Sequence, residues 1–328
     1  MNRRIVTRRR ILAAFTAIPA LAGAGSAAAQ AFPAKGKPVT IIVPYAAGGV
    51  TDTAARMMAG ALEKELGTPV QVVNKAGAAS QVGLTELMRA PPDGYTLSYA
   101  VLPTIVTHYL DPARGAVYTR KDFQPVGMHH YTPMTLSVQV SSPYKTLKDL
   151  VEAAKAKPGT IRVSDSGLLA NPHSAVLTLE YVSGARFASV HFGGGAPSVT
   201  ALLGGHVEAM AGGVADALPH KQSGAFRTLG VASDKPDPFL PDVPTMQSQG
   251  YDVLVASGTG ILAPVRTPKA IVDTLTAAMQ RVIASPEHEQ KLRGLGVLPY
   301  YLDPGAYAAF WAETETRMKP IMETLRPS

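Results

Sequence analysis

The order of strand-like and helix-like segments near the start of the chain constrains the fold most. Val39–Val43 is a continuous β-branched run, the pattern of a strand buried on both faces of a parallel sheet. A Gly-containing loop at residues 45–50 leads into an amphipathic helix, and further strands are predicted at 70–73 and 96–101 around a short helix at 82–89. Strands and helices that alternate in this way predict a doubly wound α/β fold.

A second α/β segment follows a change of pattern. Residues 134–140 alternate between apolar and polar, which indicates a crossover strand, and Thr146 with Asp149 forms a capping box for the next helix. The remaining predicted strands cover residues 161–164, 187–191, 207–210, 227–232 and 253–256. The remaining predicted helices cover residues 196–203, 215–222, 268–283, 286–292 and 304–325.

Two crossings between the segments predict two domains with a ligand cleft between them. Residues 30–132 together with 254–328 form the discontinuous first domain, and residues 133–253 form the second. We expect the crossings near 132–137 and 254–257 to act as hinges. In open α/β sheets a ligand lies beyond the C-terminal ends of the strands, which is where the Gly-containing loops fall.

The N-terminal residues predict export. Five arginines and no acidic residue occur before residue 30, and an apolar, alanine-rich run follows them and ends at Ala27 and Ala29. We expect a signal peptide over residues 1–29, cleaved after Ala29 or alternatively after Ala31, and its arginines also resemble a twin-arginine signal. Removal of these five leaves 26 basic against 24 acidic residues, so basic charge gives no reason to expect nucleic acid as a partner. The chain contains no cysteine and therefore no site at which a lipid could be attached through cysteine. We expect the mature protein to be free in the periplasm.

Motifs for catalysis, cofactors and metals are missing from the sequence. There is no G-x-S-x-G elbow, H-E-x-x-H pair or Walker A loop. Residues 258–263 match G-x-G-x-x-A, but Pro264 and Pro268 stand where a dinucleotide-binding helix would begin. The adjacent His129 and His130 lack a third ligand at suitable spacing, and we expect them on the surface. The sequence therefore predicts no catalytic residue, no cofactor and no metal.

Several segments in a fixed order carry a family resemblance, and together they span the chain beyond the signal peptide. They are residues 43–52, 73–78, 93–97, 192–197, 202–208, 240–245 and 262–268. In these segments the chain resembles the Bug (TctC-like) receptors of tripartite tricarboxylate transporters.

The resemblance implies a two-domain periplasmic binding protein of the Venus-flytrap, type II-like kind. It implies that a small organic acid is held mainly by main-chain amides and ordered water, without a salt bridge, and is delivered to membrane permease subunits by a monomeric receptor. A sensor that feeds a two-component system and a periplasmic α/β hydrolase are the alternatives. The ligand stays open among dicarboxylates, amino acids, aromatic acids and neutral vitamins.

The predicted ligand-binding residues lie in the loops after strands and at the starts of the following helices. They are Tyr45, Ala47, Gly48, Gly49, Thr51, Asp52, Ala78, Ser80, Leu102, Thr104, Ser164, Ser166, Gly167, Leu168, His173, Gly193, Gly194 and Asp216. Thr51 or Asp52 is expected to cap the first helix, and Asp52 either only caps it or lies near the ligand's polar end. His173 and Asp216 are alternatively helix-start residues, and Tyr45 alternatively packs in the pocket wall.

Overall fold

The computed structural model describes residues 32–325, so the predicted signal peptide and its cleavage site lie outside the described residues. The strands in this range are β1 Val39–Val43, β2 Val70–Asn74, β3 Thr96–Leu102, β4 Phe123–Gln139, β5 Arg162–Asp165, β6 Ala188–His191, β7 Ala209–Gly213, β8 Phe226–Val231, β9 Ala256–Pro264 and β10 Leu298–Leu302. The α-helices are α1 Val50–Leu66, α2 Gln81–Arg89, α3 Thr104–Leu110, α4 Leu147–Ala156, α5 Asn171–Ser183, α6 Gly195–Leu203, α7 Val214–Gln222, α8 Lys269–Ile283, α9 Pro286–Gly294 and α10 Pro304–Glu323.

These strands form one mixed sheet in the order β2-β1-β3-β9-β4-β7-β5-β6, with β8 and β10 also paired to β4. The outer parts are parallel, because β1 pairs with β2 and β3 while β5 pairs with β6 and β7 in the same direction. The centre is antiparallel, because β9 runs against both of its neighbours. The predicted α/β class is confirmed, and the antiparallel centre was not predicted.

Strand β4 belongs to both parts of the sheet. Residues 123–133 pair with β9, whereas residues 134–139 pair with β7 and β8. The partner therefore changes between Pro133 and Met134, inside one of the predicted hinge crossings. The predicted crossover strand at 134–140 is the second half of this longer strand.

Helix α1 shows how the apolar pattern becomes a core. Ala55, Met58, Ala59 and Leu62 recur at helical spacing and are buried together against β1, β3 and α8. A separate core lies in the second segment, where Leu150 of α4, Val163 of β5 and Leu179 of α5 pack together with β4. Each part of the sheet is thus stabilised by apolar side chains of its own helices.

The G-x-G-x-x-A match lies within β9, a strand that was not predicted over this range. A Cβ at Gly258 would overlap the ring of Phe310, and one at Gly260 would lie 2.6 Å from the ring of Tyr307. Both aromatic residues belong to α10, so these glycines let that helix approach the sheet closely.

The prediction that His129 and His130 lie on the surface is wrong. Both are buried, with exposed fractions of 0% and 2%. The hydroxyl of Tyr99 is 2.8 Å from Nδ1 of His129, and Nε2 of His288 is 2.7 Å from Nε2 of His129. Burial is the main cause that lowers the pKa of His129, and it lowers the pKa of His130 to about 3, so these imidazoles are neutral in the fold.

One further local prediction needs correction, and two elements were missed. The predicted strand at 253–256 is wrong, because the backbone before Ala256 is irregular and β9 begins only at Ala256. Val253 and Val255 are apolar because their side chains belong to the core, which produced the strand-like pattern. Helix α3 and strand β10 were not predicted. None of the helices in the described range is both long enough and apolar enough to cross a membrane.

Candidate functional site

The loop between β1 and α1 is open at its centre. Ala47, Gly48 and Gly49 are exposed, and a Cβ added at Gly48 or Gly49 would meet no atom within 4 Å. Gly48 has a φ of +89°, which favours glycine, but Gly49 has a φ of −77° that any residue adopts. Neither packing nor conformation requires glycine at position 49, whereas the close approach of a ligand to the backbone would.

Helix α1 begins earlier than predicted. Gly49 is its N-cap and lacks a side-chain cap, so the predicted cap at Thr51 or Asp52 is wrong. Val50 and the two residues after it form the first turn, whose backbone N–H groups have no carbonyl one turn earlier in the helix to bond. These N–H groups and the positive end of the helix dipole favour a negative charge next to the loop.

Asp52 holds this loop in place. Its Oδ2 accepts hydrogen bonds from the N–H of Gly48 at 2.9 Å and from Nε of Arg56 at 3.1 Å, and its Oδ1 accepts one from Asn74 at 2.8 Å. Burial alone raises the pKa of Asp52, but these bonds outweigh it and the pKa is lowered. The carboxylate is engaged within the protein, which favours a positioning role over direct ligand contact.

Tyr45 connects this loop to the segment before α2. The hydroxyl of Tyr45 bonds to the side chain of buried Ser80, and burial raises the pKa of Tyr45 to about 12 although this bond opposes the rise. Ala78 and Ser80 have positive φ values of 45° and 92°. Ala78 is exposed. The two predicted loops of the first segment therefore meet, with Ser80 turned inward and Ala78 at the surface.

Leu102 and Thr104 are buried and bonded to a residue that sequence reasoning missed. The side-chain oxygen of Asn171 accepts from both the N–H and the hydroxyl of Thr104, at 2.9 and 2.6 Å. Its nitrogen donates to the carbonyl of Leu102 at 3.2 Å and to the hydroxyl of Ser257 at 2.6 Å. The carbonyl of Leu102 and the N–H and hydroxyl of Thr104 are thus bonded to Asn171, whose only sequence signal was its place at the start of a helix.

The loop after β5 divides the predicted residues. Ser164 is fully buried and its hydroxyl bonds to Ser198 of α6, which places it away from the loop surface. Ser166 and Gly167 are half-buried, and Leu168 is 53% exposed. Ser166, Gly167 and Leu168 are therefore accessible to a ligand, whereas Ser164 is not.

A polar cluster beside this loop contains predicted His173 and two residues that were not predicted. His191 places its Nδ1 at 3.0 and 2.9 Å from the two carboxylate oxygens of buried Asp165. The rings of His173 and His191 meet edge to face with centroids 4.5 Å apart. Nδ1 of His173 accepts the N–H of Leu169 at 2.9 Å. Asp165 and His191 are 26 residues apart, so no local motif could reveal the pair.

The turn between β6 and α6 is open, as expected for ligand approach. Gly193 is exposed, and a Cβ at Gly193 or Gly194 would meet no atom within 4 Å. Asp216, in contrast, lies in the first turn of α7 and accepts from the N–H of Gly213 at 2.9 Å. A Cβ at Gly195 would be 2.7 Å from Oδ1 of Asp216, so Asp216 packs behind the turn and burial raises its pKa.

One cationic residue of this region was also missed. Arg114 follows α3 in a short 3-10 helix, and its side chain is only 15% exposed. Its Nη2 donates to the carbonyl of Leu168 at 2.6 Å, and its backbone carbonyl accepts from Gln81 at 3.4 Å. Arg114 therefore links Gln81, at the start of α2, to Leu168 in the loop after β5.

Hydrogen bonds accordingly join the loops that contain the predicted residues. Tyr45 joins the loop after β1 to Ser80, which precedes α2. Arg114 joins Gln81, the first residue of α2, to Leu168 in the loop after β5. Asp165, at the end of β5, bonds to His191, at the end of β6 and next to the turn that contains Gly193. Asp52, Leu102, Thr104, Ser164 and Asp216 support this region from inside the protein.

Comparison with known proteins agrees with this architecture. Residues 54–326 match the family described as "Tripartite tricarboxylate transporter family receptor" (TctC). The chain is 31% identical to BugT of Bordetella pertussis over 95% of its own length and 96% of BugT.

Two solved structures of relatives contain ligands. The R. palustris protein Rpa4515, solved with adipate, is 27% identical at a TM-score of 0.79, covering 90% of this chain and 98% of the other. MatC from Rhodopseudomonas palustris, solved with bound malate, is 28% identical at a TM-score of 0.75, covering 89% of this chain and 100% of the other. These similarities confirm the periplasmic binding protein fold. The chain belongs to the TctC family of tripartite tricarboxylate transporter receptors, which are solute-binding proteins and not enzymes.

Proposed function

We propose that this receptor captures a small organic acid in the periplasm and delivers it to the membrane subunits of a tripartite tricarboxylate-type transporter. The open loops around Gly49 and Gly193 carry this proposal, because nothing in the packing requires glycine there and both adjoin the start of a helix. Two relatives, solved with adipate and with bound malate, support a carboxylate as the ligand class.

The carboxylate would be held mainly by backbone N–H groups. Residues 45–51 would donate from the first segment, and residues 166–168 and 193–195 would close on the acid from the second. Donors already fixed by the fold lose little freedom on binding, which favours affinity. Lys75 would contribute little, since it is 41% exposed and pairs with Glu86 at 3.4 Å.

Export completes the proposed role. The arginine-rich start and the small residues Ala27 and Ala29 support cleavage of a signal peptide and release into the periplasm. Intact-mass analysis of periplasmic protein tests this proposal. A protein that still begins at Met1 would contradict it.

A thermal-shift screen of refolded, ligand-stripped protein tests the ligand class. Succinate, malate, adipate, an amino acid, an aromatic acid and nicotinamide cover the candidates that the sequence leaves open. A ligand at a hundred times its Kd adds about 2.7 kcal/mol to the free energy of unfolding. A rise in Tm with organic acids supports the proposal, and a response to neutral compounds alone contradicts it.

A further inference from the structure

A cavity of about 450 Å³ lies beside the two crossings between the segments, and we call it the hinge pocket. Leu254 and Ala256 of the second crossing line it, together with Tyr131, just before the first, and with residues of β10 and α10. Residues 234 and 235 line it from the second segment. None of the predicted acid-binding residues is among the described residues that line this pocket. Its volume falls within the range of small-molecule sites, about 300 to 1,000 Å³.

One side of the hinge pocket is aromatic. The ring of Tyr131 lies between two others, with centroids 5.6 Å from Tyr300 and 6.4 Å from Phe310. Tyr300 is 50% exposed, and Leu302 and Met318 add aliphatic surface to the lining. Within residues 32–325 the hydroxyls of both tyrosines make no hydrogen bond. This side favours a planar apolar group, against which aromatic rings pack well.

The rest of the lining carries charges of both signs. Asp234 and Lys235 are exposed, and in the described range neither side chain forms an ion pair or a hydrogen bond. Glu313 and Arg317, from α10, pair with each other at 3.1 Å. Burial and next the charge of Asp234 raise the pKa of Tyr131 to about 12, while Arg317 opposes the rise, so both charges act on this hydroxyl. Two acidic and two basic residues therefore line the pocket, with no net charge.

We infer that the hinge pocket is a second ligand site, which takes a zwitterionic aromatic molecule of the class of the aromatic α-amino acids. Its ring would pack against Tyr131 and Tyr300. Its ammonium group would face Asp234, and its carboxylate would face Lys235. A ligand with only one of these charges leaves the other side chain unmatched, so complementarity favours the zwitterion. This site is separate from the acid cleft of the proposed function.

The position of the hinge pocket gives such a ligand an effect on acid binding. Its lining comes from both segments and from the crossing between them, so rotation about the crossings would change its width. A ligand that fits one width stabilises the matching arrangement of the segments. It would therefore change the affinity of the cleft for its acid, and the acid would change the affinity of the hinge pocket by the same factor.

Calorimetry with three related compounds tests the ligand class. Phenylalanine, phenethylamine and 3-phenylpropanoate share a ring and a two-carbon chain; the second lacks the carboxylate and the third lacks the ammonium group. We expect phenylalanine to bind about two- to fivefold more tightly than either of the others, the range of an exposed ion pair. Weaker binding of phenylalanine than of one singly charged compound would overturn the assignment of a zwitterion.

Two variants test the residues. Tyr300→Ala should weaken phenylalanine binding about tenfold through the lost ring contact, and Tyr181→Ala is its matched control, since Tyr181 is 51% exposed and does not line the pocket. Asp234→Asn should weaken phenylalanine binding about two- to fivefold and leave 3-phenylpropanoate binding unchanged. Equal effects of Tyr300→Ala and Tyr181→Ala would overturn the site.

Gly49→Val separates the hinge pocket from the cleft. This variant should bind phenylalanine as the wild type does, and loss of phenylalanine binding would assign the compound to the cleft and overturn the second site. In the wild type, saturating phenylalanine should change the Kd for malate or adipate about fivefold or more. An unchanged Kd would overturn the coupling. A wild type that binds phenylalanine and no organic acid would contradict the proposed function but not the hinge pocket.

Discussion

Asn171, at the start of α5, bonds through one oxygen to both the backbone N–H and the hydroxyl of Thr104, at the start of α3. Its nitrogen donates to the carbonyl of Leu102 and the hydroxyl of Ser257. Asn171 is 4% exposed, so its polar atoms are satisfied within the protein. One buried amide therefore ties the second segment of the chain to the first.

Asn171→Ala is expected to lower the free energy of unfolding by about 3 kcal/mol, because it leaves buried donors and acceptors unpaired. Ser257→Ala removes a single partner and should cost about 1 kcal/mol. Urea denaturation followed by circular dichroism measures both. Equal losses in the two variants would contradict a central role for Asn171.

Gly49→Val is expected to abolish acid binding while the fold is kept. The φ of −77° and the empty space around the Cβ position allow a side chain, which would then occupy the place of the ligand. Lys75→Ala is the control and should change the Kd less than about threefold, since exposed ion pairs contribute little. Calorimetry with the acid found by thermal shift measures both variants, and loss of binding only in Lys75→Ala would mean recognition by a salt bridge.

Asp52→Asn is expected to weaken acid binding and to lower the free energy of unfolding by about 1 to 3 kcal/mol. One oxygen becomes an NH2 donor, which faces either the donors of Gly48 and Arg56 or the amide nitrogen of Asn74. Asp273→Asn is the matched control: Asp273 also has a cationic helix neighbour, Lys269, but it is exposed and should matter little.

The lowered pKa of Asp52 also gives the sign of its pH dependence. Its contribution is present above the pKa of the unfolded state and is lost as the pH falls through the folded pKa. The difference in stability between wild type and Asp52→Asn should therefore shrink at low pH. A difference that grows on acidification would contradict the assignment.

Acid is expected to destabilise the protein through the buried histidines. Because burial lowers the pKa of His129 and His130, the unfolded chain takes up protons below about pH 6.5 that the folded protein does not. Stability should therefore fall as the pH drops below about 6.5, because these two histidines take up protons in the unfolded chain before they do so in the folded protein. His130→Gln should reduce the dependence of stability on pH, measured by urea denaturation at several pH values, and an unchanged dependence would contradict this account.

Closure about the two crossings remains a prediction, as do the domain boundaries at 132–133 and 253–254. Thr132 pairs with Ser257 and Pro133 with Ala256, so the crossings lie side by side and the rotation would centre on them. Small-angle scattering should give a smaller radius of gyration with the bound acid. Gly49→Val should show no such change, and an unchanged radius in saturated wild type would argue against closure.

The sequence determined the elements whose signals are local. The β-branched run of β1, the apolar face of α1 and the capping box of Thr146 and Asp149 depend on residues within a few positions of one another, and each occurs close to its predicted place. The family motifs likewise identified the open loops at Gly49 and Gly193.

Only the tertiary structure decided what depends on distant contacts. The glycines Gly258 and Gly260 lie in a strand because Phe310 and Tyr307 of α10 pack closely against them, a contact that the local sequence does not show. Val253 is apolar because it is buried in the core, although it does not lie in a strand. Arg114 meets Leu168 across 54 residues, and Thr104 meets Asn171 across 67. Hydrophobic periodicity is carried by neighbouring residues, whereas a buried polar pair exists only after the chain has folded and excluded water from both partners.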